Sequence, residues 1–265
     1  MRKHFWWIGC VSLMLLISIV GFTPVNATKN SDNFKTTHTV TAKELFAQYV
    51  STIYQTARLQ ETGMDMGVFQ KALTGYFNIK SANNLAQNSS VITVVDFSKS
   101  SREKRMWIVD LLNKHLLLNT WVAHGQGSGD DMATSFSDNN ESHQSSLGFY
   151  LADDIYVGKH GRSLRLDGLD QGFNTNARSR GVVVHAAEYV SESAIAQMGR
   201  LGRSFGCPAV SPQVIDQVIN TIKGKSVFFI NGNNPSYTSK YLNDSVFANF
   251  TMPADSTSMI NSPTL

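Results

Sequence analysis

Gly202-Arg-Ser-Phe-Gly-Cys-Pro-Ala-Val210 carries Cys207, and His185 stands 22 residues before it, closing the apolar run Val182-Val-Val184. A thiol becomes nucleophilic near neutral pH when a base or a positive field takes its proton, and an imidazole supplies the base. The β-branched run predicts a short strand ending in the histidine. Gly-Cys-Pro suits a turn rather than the middle of a strand. Small glycines beside the sulfur let a substrate carbonyl approach the backbone. The alternative is an inert buried thiol, but exported proteins seldom keep an unpaired cysteine without a use.

Chain order then separates the classes of chemistry. Gly202-Arg-Ser-Phe-Gly206 fits the Gly-x-Ser-x-Gly nucleophile elbow, whose histidine follows the serine. All seven histidines here (4, 38, 115, 124, 143, 160 and 185) precede Ser204. The same order excludes papain-like peptidases, in which histidine follows cysteine. Sortases place histidine first, but their Thr-Leu-x-Thr-Cys segment is absent. His124 and Asp131 have a spacing found in zinc D,D-peptidases, yet the His-x-His pair that completes such a site is missing, and catalytic zinc wants three protein ligands. No metal and no cofactor are expected.

Residues 1–27 read as a signal peptide: basic Arg2 and Lys3, an uncharged apolar stretch, then Val25-Asn-Ala27 at the cleavage positions. The alternative is an uncleaved segment giving transient inner-membrane attachment. Cleavage removes Cys10 and leaves Cys207 alone, which forbids an internal disulfide. It also removes Arg2 and Lys3, so 23 basic residues become 21 against 20 acids, and the charge falls from +3 to +1. No basic field then remains to attract nucleic acid. Residues 28–40 read as a flexible linker. A helical N-terminal unit spans 41–88, opened by a capping box at Thr41 and Glu44 and a second cap at Asp65. From 89 to 232 the texture is that of short strands, with a long polar loop at 125–146 and a helix opened by Ser211-Pro212. Residues 233–265 read as a polar, loosely held tail.

Four stretches together carry a resemblance: residues 95–105, Trp121-Val-Ala-His-Gly125, Ser145-Ser-Leu-Gly-Phe-Tyr150, and Val184-His185 with Ser204-Phe-Gly-Cys-Pro208. Over about residues 45–232 the chain resembles the L,D-transpeptidase superfamily of YkuD-type fold, in its murein L,D-transpeptidase catalytic domain branch. The resemblance implies a mostly β (α+β) YkuD-like β-sandwich with short helices, preceded by the helical unit. It implies Cys207 as nucleophile, His185 as base, and the Ala186 carbonyl orienting the imidazole. Amides around Phe205, Gly206 and Cys207 would form the oxyanion hole, with Ser204 shaping the turn. Apart from the resemblance, Arg203 reads either as the partner of a substrate carboxylate or as a solvated or structural arginine, and His124 as ending a strand near the cleft or capping it. The implied partners are peptidoglycan stem peptides, in the periplasm or cell envelope. Phe205 stands where the widespread pattern has a second histidine, and Ala209 where it has Arg or Asn. Two further readings stay open: an L,D-carboxypeptidase or cross-link hydrolase using water, and a catalytically silent wall-binding protein.

Overall fold

The computed structural model describes residues 40–82, 85, 90–248 and 250. The expected signal peptide and almost all of the linker lie outside them. Helix α1 (Ala42–Thr56) begins with the predicted capping box: the Thr41 hydroxyl accepts from the Glu44 amide while the Glu44 carboxylate accepts from the Thr41 amide. Helix α2 (Met66–Ser81) starts where the Asp65 carboxylate accepts from the Val68 amide. Each cap satisfies donors that a helix start leaves unpaired.

Eight strands follow among the described residues: β1 (Val91–Asp96), β2 (Met106–Asp110), β3 (His115–Thr120), β4 (Gly148–Gly158), β5 (Gly161–Gly168), β6 (Val183–Ala186), β7 (Ala209–Val210) and β8 (Val227–Asn231). They form one sheet in the order β3-β2-β1-β8-β4-β5-β6-β7. The β1–β8 and β6–β7 pairs are parallel and the rest antiparallel. Ala209 at the far edge also bridges Ala123, just past β3, so the two edges meet in a near-barrel. The fold is mostly β with short helices, as the sequence predicts.

Strand β8 shows why the centre of the sheet is apolar throughout. Val227 and Phe229 face a layer made by α1 and α2 with Trp107, Phe149 and Tyr76, while Phe228 and Ile230 face the interior with Tyr150, Leu164 and Val184. Both faces are covered, so alternation between apolar and polar residues disappears. Helix α3 (Ile215–Ile222) packs Val218, Ile219 and Ile222 into the same interior. It begins after a turn at 212–214 rather than at Ser211-Pro212, and Val214 caps it without a side-chain bond.

Two further departures concern the segment read as a tail and two of the short strands. The end of the chain, as far as Phe250, is packed: Tyr241, Val246 and Phe250 are buried in the helical layer, and the Asn78 amide donates to the carbonyls of Tyr241 and Asn243. The polar residues around these anchors hid them. Strands β4 and β5 make one long hairpin instead of two short, separate strands. A bulge between Ala152 and Ile155 shifts the register and takes Asp153 and Asp154 out of the alternation.

Gly75 fixes the seat of α2 on the sheet. A Cβ there would lie 2.0 Å from the Phe149 ring, which stacks on Phe229. Gly75→Ala should gain up to about 1 kcal/mol of helix propensity. The overpacking should cost about 1–3 kcal/mol and win. A lowered thermal midpoint is therefore expected; an unchanged or raised one would show that the layers slide freely.

Candidate active site

Three segments meet around Cys207. Strand β6 carries His185 one residue before its end, the turn before β7 carries the cysteine, and the β4–β5 hairpin tip lies beside both. His185 and Cys207 line a cleft of about 380 Å³ with Lys159 and His160 from the tip, Tyr189, and Arg180. A second cleft of about 340 Å³ reaches Cys207 from the other side, past Phe205, Arg180 and Glu141. The thiol is partly exposed where the two clefts join.

The turn is braced from within. The Ser204 hydroxyl donates to the Cys207 carbonyl at 2.6 Å and accepts from the Gly206 amide at 3.1 Å. Gly206 has φ +120°, and a Cβ there would sit 2.8 Å from the Gln144 carbonyl, so the turn needs glycine. The Ser145 hydroxyl accepts from the Gly125 amide and donates to the Gly206 carbonyl, tying the 125–146 loop to the same turn. The amide of Gly206 is thus engaged by Ser204 and supports the turn rather than an oxyanion. The amides of Phe205 and Cys207 make no hydrogen bond among the described residues, which leaves both as donors for one.

His185 is 3% exposed, and its Nδ1 lies 2.9 Å from the Ala186 carbonyl. A carbonyl only accepts, so Nδ1 carries the proton and Nε2 presents a lone pair. Burial lowers its pKa, the Ala186 contact opposes this, and the charges of His160 and Lys159 lower it further. Burial conversely raises the pKa of the Cys207 thiol, offset in part by the Val183 amide and by Arg180 and Lys159. Desolvation therefore favours the neutral forms of both groups. The resting sulfur lies 3.6 Å from the Gly181 carbonyl, its acceptor, and makes no hydrogen bond to the imidazole.

The remaining predicted residues divide. Phe205 is 64% exposed between the clefts and stacks on His143 with ring centroids 4.5 Å apart. Arg203 lines the larger cleft, but its guanidinium donates to the Gly129 carbonyl and pairs with Asp130 at 3.3 Å. His124 is corrected: it is 1% exposed and lines neither cleft. Its Nδ1 accepts from the buried Arg105 guanidinium at 2.7 Å. Burial first, and then that positive charge, pull its pKa down to about 4, with the backbone of Gly129 and Asp130 opposing weakly. A neutral, enclosed ring held on Arg105 braces the loop. Asp131 accepts from the hydroxyls of Ser100 and Ser101. Ala209 packs in a small core with Ala123, Val190 and Leu201, which explains why no polar side chain stands there.

Several cleft residues escaped the sequence reading. Arg180 lies in a loop and bonds the Ser137 and Gln144 carbonyls and the Ser142 and Ser146 hydroxyls. No spacing pattern marks a residue that reaches its site from a loop. Tyr156, Lys159 and His160 were hidden because the hairpin was not read as one unit.

A cysteine on a braced turn, facing a cleft shared with a histidine of fixed tautomer on a β near-barrel, defines a thiol–imidazole site. The L,D-transpeptidase catalytic domain family matches residues 60–231, from the short helix before α2 through β8. The chain belongs to this family. No curated protein matches it. Solved structures similar to it include an L,D-transpeptidase from Mycobacterium smegmatis (13% identity, 54% of this chain and 58% of that one, TM-score 0.33). Another is from Stackebrandtia nassauensis (14% identity, 64% and 69%, TM-score 0.34). A third is an L,D-transpeptidase in complex with imipenem (13% identity, 53% and 58%, TM-score 0.33). The chain thus spans somewhat more than half the length of the first and third of these.

Proposed function

We propose that the protein is an exported L,D-transpeptidase that transfers acyl groups between peptidoglycan stem peptides through a thioester on Cys207. The observation that carries this is the pairing of a cleft-facing thiol with an imidazole whose proton is pinned on Nδ1. His185 Nε2 accepts the thiol proton as sulfur attacks the carbonyl of the L-centre before the terminal D-residue. Sulfur bonds to that carbon, and the oxygen becomes an anion held by the amides of Phe205 and Cys207. Collapse of this intermediate expels the D-residue as its amine, which takes the proton back from His185. An amine of a second stem then repeats the sequence in reverse and regenerates the thiol. Burial, which lowers the imidazole pKa and raises that of the thiol, favours the neutral pair as the starting point. Each oxyanion donor contributes on the order of 3 kcal/mol in comparable sites.

Membership of the L,D-transpeptidase catalytic domain family supports transfer as the reading, with an amine as acceptor. Mass spectrometry of digested cell walls incubated with and without the protein tests this. New cross-linked dimers are expected. Shortened stems without dimers would indicate water as acceptor, and unchanged stems a silent binding protein.

A carbapenem, such as the imipenem held by one of the similar structures, offers a strained acyl donor of the same kind. Intact protein should gain one carbapenem-derived increment that disappears in Cys207→Ala. A protein that processes stems yet forms no adduct would show that Phe205 closes the cleft to bicyclic lactams.

A further inference from the structure

The hairpin tip makes one contact for which the chemistry above gives no reason. The His160 ring lies over that of His185 with centroids 4.3 Å apart and planes inclined by 29°. His160 sits on the exposed tip Gly158-Lys-His-Gly161, and the ring it covers is nearly inaccessible. The Nδ1 bond to the Ala186 carbonyl fixes one point of the His185 imidazole. A single hydrogen bond leaves the plane free to swing about it. A ring stacked on the face removes that freedom, and near-parallel aromatic pairs at this distance are attractive.

We infer that His160 is a positioning residue for the proton acceptor: its ring, packed on His185, holds Nε2 toward Cys207 and keeps water off the imidazole. The inference rests on the assignment of His185 as the base of Cys207. Two consequences differ in what they need from His160. Holding the plane needs only a flat ring, so Phe can replace it. Proximity of a second ionisable imidazole needs the histidine itself. Lys159 on the same tip, and Arg180, Arg203, Tyr156 and Tyr189 around the cleft, also face this pair and stay constant in the comparison.

Alkylation of Cys207 by iodoacetamide reads the base without any stem peptide, so it separates this inference from the proposed substrate. In the full chain near neutral pH, His160→Ala and His160→Gln should alkylate more slowly by about two- to tenfold, the range that an aromatic pair supplies. His160→Phe should return to near the native rate. Ring resonances of His185 give the second reading. Burial and the nearby His160 both hold its pKa down. The pKa should therefore rise in His160→Phe, which removes only the like charge, and rise further in His160→Ala, which also admits water. A purely structural tip would leave that titration in place. Native alkylation in both His160→Ala and His160→Gln, equal slowing in His160→Phe, or an unmoved His185 titration in all variants would each overturn the inference. Slowing confined to the non-aromatic variants, with the ordered rise in pKa, would establish it even if stem peptides proved not to be the substrate.

Discussion

Cys207→Ala abolishes release of the terminal D-residue from a tetrapeptide stem and leaves the fold in place. In the proposed reaction the sulfur forms the acyl bond, and no other thiol lies among the described residues. Its loss removes covalent catalysis outright, whereas the hydrogen bonds of the turn come from Ser204 and the backbone and survive. The thiol is only partly buried, so truncation costs about 1 kcal/mol or less. Turnover is measured by liquid chromatography of the released amino acid and folding by thermal melting. Activity above trace in a correctly folded variant would remove the thioester from the mechanism.

His185→Ala is expected to slow acylation by about 10²–10⁴-fold, the usual contribution of a placed proton acceptor. The resting thiol is held neutral by burial, so without the imidazole few molecules carry a thiolate at neutral pH. His124→Ala should behave in the opposite way. It leaves the donor on Arg105 unpaired inside the protein, which costs about 1–3 kcal/mol of stability, while the rate per folded molecule changes little. Single-turnover acylation kinetics paired with melting curves for the two variants separate these roles. A large rate loss in His124→Ala with a mild one in His185→Ala would reverse the assignment.

The contrast between these histidines shows what the sequence could reveal. The place of His185 beside the cleft was legible because a β-branched run puts it near a strand end, and its proposed role rests on chain order. His124 ends a similar run, Trp121-Val-Ala, but its neighbours in space are Arg105 and Phe97, remote in sequence. Nothing in its spacing tells a buried ring from a cleft ring. The caps at Thr41 and Asp65 were legible because capping is local in the chain. Closure of the sheet through Ala123 and Ala209 was not, since β7 is two residues long and has no periodicity. The hairpin tip was lost for a related reason: the bulge that admits Asp153 and Asp154 breaks the alternation that would have announced a long strand. Gly206 was read as a small residue beside the sulfur and an oxyanion donor, not as a donor already engaged by Ser204. That distinction lies in a hydrogen bond, not in a residue type.

The central claim is that an acyl group passes through the sulfur of Cys207. Mixing the full chain with a tetrapeptide stem, quenching in acid within the first turnovers, and mapping the digested protein by mass spectrometry tests it most directly. The account predicts a tripeptide-acyl increment on the peptide containing Cys207, labile to hydroxylamine and absent from Cys207→Ala. Turnover of the stem with no acyl increment on that peptide, or with the increment on another residue, would contradict it.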